Sequence, residues 1–252
     1  MRIGEIVRGY VVIAFLASPF QALFAQGGPP QDSVTGFGPY ANDFGQMRLS
    51  PGAPFVGTWQ ETSLQRGASG SMIWKEARDS TGRVYTETLF TNGTPFFWGV
   101  VDPSEHTTLS WSGDSRQAAL YHDPSIVASK PNELPPSPFQ IRLPEDSQWN
   151  WEIEQLGTKT IHGLLVEGIR ATRPLPNGQP DNRLPAPAVS EERWYSRDLQ
   201  LAVLIVYSDP RIGTFTSELK QIERIEPDPR LFVVPAGYEV VVKQMVSNSK
   251  SQ

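Results

Sequence analysis

Residues 71–90, SMIWKEARDSTGRVYTETLF, hold the pattern that decides the fold of this chain. In the first half, SMIWKEAR, apolar and polar residues alternate, so that Met72 and Trp74 share one face and Lys75 lies on the other. Residues 79–82, DSTG, are turn-forming, and RVYTETLF follows as a second β-rich run. Two such runs around a short turn with glycine predict an antiparallel β-hairpin.

The same pattern continues along most of the chain between residues 53 and 243. Further β-rich runs, separated by turn residues, occur at 54–64, 96–103, 106–113, 117–122, 159–173, 190–196, 199–208 and 213–227. A region of about 190 residues is large enough to bury a real core. We therefore expect one mainly β domain over residues 53–243.

The run LAVLIVY (201–207) differs from the others because it is apolar on both faces. A strand with one face in water alternates, so this one should be covered on both sides. Two interpretations fit this pattern. The run is either a central strand beneath the proline-rich loop, or a strand that lines an apolar cavity.

Two proline-rich stretches interrupt or close the β pattern. Six prolines in residues 122–147 exclude a long helix and most ladder pairing, so we expect an ordered loop or a lid there. The stretch EPDPRLFVVPAGYEVV (226–241) holds Asp228 between two prolines, without a nearby histidine or lysine to make it a base. We interpret this stretch as a clasp, in which residues 231–234 pin the chain end against the sheet and Tyr238 anchors it.

The two ends of the chain indicate export. Residues 1–25 have a positive start, an apolar stretch and a small residue, Ala25, in the order of a cleavable secretory signal peptide. Residues 26–52 are rich in glycine, proline and small polar residues and predict a flexible arm, and we expect residues 244–252 to form a disordered tail. The expected location is the bacterial periplasm or the exterior, as a soluble protein after signal cleavage.

Composition excludes several functional classes. The chain has no cysteine, which rules out disulfides, thiol nucleophiles, cysteine metal sites and a lipoprotein anchor. Its formal net charge of −5, without a basic run, makes it a poor candidate for nucleic acid, whose binding rests on phosphate neutralisation. We expect no cofactor and no nucleic-acid partner.

Catalytic patterns are mostly absent from the sequence. The three histidines, His106, His122 and His162, do not fall in a metal-binding spacing, and no G-x-S-x-G elbow or phosphate loop occurs. Glu152 and Glu154 share a face if their segment is extended, and paired acids beside tryptophans are found in glycan-hydrolysing clefts. A solvated strand face is the alternative explanation for this pair, and it is the one that we favour.

Four stretches together carry a resemblance to known proteins. They are KEARDSTGRVYTE (75–87), VVDPSEHTTLSW (100–111), LGTKTIHGLLVEGIRATR (156–173) and the run from RWYS to GYEV (193–240). The chain resembles a group of uncharacterised exported proteins of Acidobacteria, and its order of motifs is similar to the carboxyl half of LolA, LolB and RseB-type periplasmic proteins. The resemblance implies a single, strongly curved antiparallel sheet, a half-barrel with few short helices and, in this chain, a proline-rich middle loop.

Three functional hypotheses follow. The first is an exported, non-enzymatic binding protein whose apolar groove holds a lipid or a lipid-modified protein; strand parity selects Trp59, Trp74, Leu204 and Val206 as lining residues. The second is a periplasmic interaction or sensor module of RseB type that engages a membrane partner. The third is a secreted hydrolase that uses Glu152, Glu154 or a carboxylate near the proline-rich loop. A filled core and a ligand groove give the same parity, so the sequence leaves them open.

Overall fold

The computed structural model describes residues 49–65, 68–124, 126–128, 152–174, 188–211 and 213–243. These residues form twelve strands and a 3-10 helix at Pro229–Phe232. The strands are β1 (Phe55–Gln65), β2 (Ala68–Arg78), β3 (Val84–Leu89), β4 (Pro95–Asp102), β5 (Thr107–Ser112), β6 (Gln117–His122), β7 (Glu152–Ile161), β8 (Leu164–Pro174), β9 (Ala188–Ser196), β10 (Leu201–Asp209), β11 (Gly213–Glu223) and β12 (Glu239–Lys243). The mainly β prediction is confirmed. The described part of the chain has no helix with the length and apolar character of a membrane span.

Several predicted segments lie outside the described residues. They are the signal peptide, the tail 244–252, the greater part of the amino-terminal arm and most of the proline-rich stretch 122–147. The domain limits therefore stay a prediction.

All twelve described strands belong to one curved, unclosed sheet. Its order is β12-β6-β5-β4-β3-β2-β1-β11-β10-β9-β8-β7. Two antiparallel meanders, β1 to β6 and β7 to β11, are joined through the antiparallel pair β1 and β11, which sets Trp59 opposite Leu219. The predicted curved antiparallel sheet is confirmed with one exception, because β12 runs parallel to β6.

The hairpin of residues 71–90 is β2 and β3, as the sequence predicts. The carboxylate of Asp79 accepts hydrogen bonds from the backbone N–H groups of Thr81 and Arg83, at 3.0 and 2.9 Å, and so fixes the turn. Gly82 has φ +92°, a conformation that residues with a side chain rarely adopt. The residues of the turn are therefore sufficient to specify this hairpin.

One predicted strand is wrong in its extent. The sequence pattern predicts a single β segment over 159–173 with His162 inside it, but a turn at His162 and Gly163 divides this run between β7 and β8. Both residues have positive φ, +47° and +79°. His162 is not a typical residue for a positive φ, so the sequence did not mark a turn here. The β-rich pattern on both sides instead indicated one continuous strand.

The two faces of the sheet are defined by the register of β1 and β2. One face carries Phe55, Trp59 and Glu61 of β1 opposite Arg78, Trp74 and Met72 of β2; we call it the Trp59 face. The other face carries a buried cluster that includes Ala77, Tyr85, Val100, Trp111 and Ala118, and we call it the clasp face. A second buried cluster packs Phe55, Trp59 and Leu219 together with residues of the second meander and of the β9–β10 turn: Leu164, Val166, Trp194, Leu199, Leu201 and Val203.

The chain end covers the clasp face. Phe232 is buried in its cluster, and Leu231, Val234 and Tyr238 pack against it. The hydroxyl of Tyr238 donates a hydrogen bond to the carbonyl of Ser112 at 3.0 Å. These contacts confirm the interpretation of residues 226–241 as a clasp, which then leads into β12 at the edge of the sheet.

β10 is an interior strand, between β11 and β9. Leu201, Val203 and Ile205 are buried, whereas the alternate residues Ala202 and Leu204 are half-buried. The interior position predicted for LAVLIVY is therefore confirmed, and its second face is only partly covered by the described residues. Cover by the proline-rich loop stays a prediction, because most of that loop lies outside the described residues.

Buried Arg78 ties three parts of the fold together. Its guanidinium donates hydrogen bonds to the carbonyl of Ala53, at 3.0 and 2.8 Å, and to the carbonyl of Leu199 in the β9–β10 turn. It also lies over the ring of Phe55 at 5.0 Å from the ring centre. The β9–β10 turn is thus held against the start of β1.

Candidate functional site

A repeated Trp-x-Glu spacing places two tryptophans and two acids together on the Trp59 face. Trp59 and Glu61 lie two residues apart on β1, and Trp74 and Glu76 lie two residues apart on β2. Because the strands are antiparallel and Trp59 is directly opposite Trp74, the two acids lie at opposite ends of the tryptophan pair. All four side chains point to one face, since residues two apart on a strand share a face.

The two indole rings stack in parallel. Their centres are 5.6 Å apart and their planes differ by 6°. Trp59 is buried, with 2% of its surface exposed, whereas Trp74 is half-buried. On the other side of β1, Leu219 packs close to Gly57, where an added Cβ would lie 2.6 Å from Cδ1 of Leu219. This glycine is what permits the leucine to approach the tryptophan pair.

Glu76 is a buried carboxyl beside this stack. Burial raises its pKa to about 7, and the guanidinium of Arg78 and the indoles of Trp74 and Trp59 oppose that shift. Trp59 Nε1 lies near the Glu76 carboxylate but does not meet the geometry of a hydrogen bond to it. This buried N–H has no hydrogen-bond partner among the described residues. Near neutral pH the Glu76 carboxyl is therefore divided between its neutral and charged forms.

Glu61 and Ser217 form the other end of the site. They face each other across β1 and β11, and burial raises the pKa of Glu61 as well. Ser217 is 5% exposed, and its Oγ has no hydrogen-bond partner in the described part of the chain. A buried hydroxyl and a buried indole N–H thus lie on the same face, and neither has a partner among the described residues, although buried polar groups are nearly always paired.

This arrangement can hold an apolar molecule with a hydrogen-bond acceptor. The stacked rings offer a flat apolar surface, of which Trp74 is the accessible part. The Trp59 N–H and the Ser217 hydroxyl can donate, but both are buried, so a ligand reaches them only where neighbouring side chains move aside.

The predicted groove residues do not form one surface. Trp59 and Trp74 are neighbours on the Trp59 face. Leu204 is opposite Glu218, which is opposite Gln60, so Leu204 and Val206 lie on the other side of the sheet. Leu204 packs against the edge of the cluster that contains Trp59. It lies opposite Trp194 of β9, which belongs to the same cluster. The role of all four residues in ligand binding stays a prediction.

Sequence reasoning missed Glu61, Glu76 and Ser217. The repeated Trp-x-Glu spacing on two adjacent strands was a signal available for the two acids. Nothing in the sequence marks Ser217, because its position opposite Glu61 depends on a pairing between strands more than 150 residues apart.

The acid pair of the hydrolase hypothesis lies on the exposed outer strand β7. Glu154 forms an ion pair with Arg170 at 2.9 Å, and Arg170 also binds Glu192 at 2.9 Å. Such a network of exposed charges is typical of a solvated sheet surface.

The histidines are held in loops and at strand ends. His162 contacts Glu218 through Nε2 at 3.0 Å, and the Nδ1 atom of His106 lies 2.6 Å from the carbonyl oxygen of Ile126. Among the described residues, no group of three or more histidine, aspartate or glutamate side chains could hold a metal ion.

Comparisons with known proteins give likenesses in structure alone. No family model matches the chain, and the search of curated proteins finds no match. An uncharacterised conserved protein of Thermus thermophilus has 10% identity and a TM-score of 0.44, over 76% of this chain and 91% of that one. A chain of the MucA/MucB complex of Pseudomonas aeruginosa has 14% identity and a TM-score of 0.45, over 78% of this chain and 61% of that one.

A LolA superfamily protein of Nitrosomonas europaea has 7% identity and a TM-score of 0.35, over 75% of this chain and 94% of that one. This chain spans less than two thirds of the matched chain of the MucA/MucB complex. At these identities and TM-scores, the likenesses support no inference about function or partner.

Proposed function

We propose that this chain is an exported, non-enzymatic binding protein that holds an acyl-chain ligand against the Trp59 face. The observation that carries the proposal is the stacked pair of Trp59 and Trp74, flanked by the half-buried carboxyl of Glu61, the buried carboxyl of Glu76 and buried donors without protein partners among the described residues. The ligand class is a lipid or a lipid-modified protein, whose ester or amide carbonyl would accept a hydrogen bond from Trp59 Nε1 or Ser217 Oγ.

Simple energetics support an acyl chain over a polar ligand. Each CH₂ group removed from water contributes about 0.8 kcal/mol, so a few methylenes against an indole surface give useful affinity without further polar contacts. A charged carboxylate at either end of the tryptophan pair would oppose this, but burial raises the pKa of both Glu61 and Glu76. The proposal concerns the acyl chain and its carbonyl, and it makes no claim about the headgroup.

The first experiment is native mass spectrometry of the protein purified from its own host. A bound mass in the range of a lipid, released on denaturation, is the expected result. Protein that carries no such mass and takes up no apolar dye would overturn the proposal. A membrane protein that copurifies in place of a lipid would instead favour an interaction module.

A pair of matched variants locates the ligand. Trp74→Ala removes the accessible indole of the Trp59 face, and we expect it to weaken lipid binding about tenfold, as is common for a buried aromatic contact. Trp98→Ala is the control, because Trp98 is also half-buried and stacks on Trp111, 6.3 Å away, but on the clasp face. Equal losses for the two variants, with equal melting temperatures, would place the ligand elsewhere.

Export completes the proposal, since a lipid carrier or lipid receptor of this kind would work outside the cytoplasm. The candidate signal peptide, residues 1–25, lies outside the described residues. Amino-terminal sequencing of the protein from its host tests this step, and we expect a mature chain that begins just after Ala25.

A further inference from the structure

Among the described strands, β12 forms one edge of the sheet. It pairs with β6 in parallel, and no other strand among the described residues pairs with it. Val240 and Val242 are 50% and 64% exposed. An edge with unpaired backbone groups and exposed β-branched residues is a template for the addition of another strand.

The direction of the free backbone groups follows from the register. The N–H of Glu239 donates to the carbonyl of Arg116 at 2.8 Å, so the backbone of Glu239 faces β6. Because backbone groups alternate along a strand, Val241 and Lys243 face β6 as well, and the N–H and C=O groups of Val240 and Val242 point outward.

The sequence of β12, Glu-Val-Val-Val-Lys, is complementary in charge to its own reverse. In an antiparallel pair of two copies centred on Val241, Val240 of each copy is opposite Val242 of the other. These are the two residues whose backbone groups point outward, so four hydrogen bonds form. Glu239 then lies opposite Lys243 at both ends, and no other register allowed by the outward groups pairs these charges.

We propose that β12 pairs with β12 of a second copy of this chain, giving a symmetric dimer with one continuous sheet. The proposal is independent of the lipid site. That site lies on β1 and β2, at the opposite end of the first meander from β6 and β12. A five-residue pair buries less than the roughly 1,600 Å² of a standard stable interface, so we expect a dissociation constant on the order of 10–100 µM.

The opposite edge of the sheet does not have these properties. β7 contains a register irregularity between Gln155 and Gly157, where φ of Gly157 is +79°. A bulge of this kind protects an edge from strand addition. The register of β12 with β6 is regular over its five residues.

Charge reversal tests the register by sedimentation analysis of the full chain over a range of concentrations. Glu239→Lys and Lys243→Glu each set like charges opposite one another at two symmetric positions, and we expect each to weaken the dimer about tenfold. The double variant restores both pairs and should restore the dimer. Glu105→Lys makes the same change of charge in an exposed turn and should leave association unchanged.

A single cysteine tests the two-fold axis directly, since the chain has none of its own. In the proposed register the two Val241 residues form a non-hydrogen-bonded pair about 4.5 Å apart between Cα atoms, which a disulfide can bridge. Val241→Cys should therefore form a covalent dimer under mild oxidation. Val240→Cys should not, because it is opposite Val242.

These experiments distinguish a β12-mediated dimer from a monomer with a protected edge. A wild-type dimer with the reciprocal pattern of charge variants and a Val241-specific disulfide supports the proposal. A chain that is monomeric at all concentrations, or a double charge variant that fails to recover association, overturns it and assigns Glu239 and Lys243 to protection of the edge.

Discussion

Gly168 of β8 is the position at which a single methyl group should damage the second meander most. It lies directly opposite Trp194 of β9, and a Cβ added there would be 2.6 to 2.7 Å from three carbons of the indole ring. The indole ring of Trp194 cannot shift easily to make room for this methyl group. Trp194 is 6% exposed, its Nε1 donates to Glu192, and Lys159 lies 3.5 Å from the ring centre.

The expected cost is set by two opposing effects. Overpacking of a well-packed core costs about 1–3 kcal/mol, because side chains or backbone must shift. The lower entropy of the unfolded chain with alanine offsets about 0.4–1 kcal/mol. We therefore expect Gly168→Ala to reduce the free energy of unfolding by about 1–2 kcal/mol.

Urea denaturation with fluorescence detection measures this loss. Gly113→Ala is a matched control, because its Cβ would meet a tryptophan too, Trp98, but at 3.7 Å, an ordinary contact. We expect the control to lie within about 0.5 kcal/mol of wild type. A Gly168→Ala variant as stable as the Gly113→Ala control would refute the close packing of Gly168 on Trp194.

Three further predictions concern a buried acid, the clasp and the buried guanidinium. Burial raises the pKa of Glu76 to about 7 from an ordinary 4.5, so folding takes up a proton and the free energy of unfolding should fall as pH rises from about 5 to about 7. Glu76→Gln should flatten this slope and be more stable than wild type at pH 8 by up to about 3 kcal/mol, and an unchanged slope in chemical denaturation would contradict the assignment. Phe232→Ala should cost about 3 kcal/mol because Phe232 fills the clasp-face cluster, whereas exposed Val233→Ala should cost little; equal midpoints in urea would show that the clasp does not stabilise the sheet. Arg78→Met should cost about 3 kcal/mol because two buried carbonyls lose a charged donor, and calorimetry that finds no loss of melting temperature would contradict this.

The hairpins could be predicted because their turns are local. The DSTG segment specifies its own reversal through Asp79 and Gly82, and the alternation on either side specifies the strands. The reversal at His162 could not be predicted in the same way. The alternating apolar pattern continues on both sides of it, and the turn requires a positive φ at a residue that is not glycine.

The candidate site depends on pairings between distant segments. Trp59 and Trp74 could be selected by parity, but the same argument assigned Leu204 and Val206 to their face. A shift of one residue in register moves a side chain to the opposite side of a sheet, and the sequence carries no information about the register between β1 and β11.

The sequence by itself determined that the chain is mainly β, where most strands begin and end, that no cysteine chemistry is available and that residues 226–241 close the fold. Each of these follows from local preference or composition. Only the tertiary structure decided which face each residue occupies, that Glu61, Glu76 and Ser217 surround one tryptophan pair, and that β12 runs parallel to β6 at an open edge. The physical reason is that burial, and with it the pKa of a carboxyl or the cost of an unpaired donor, depends on what distant strands place beside a residue.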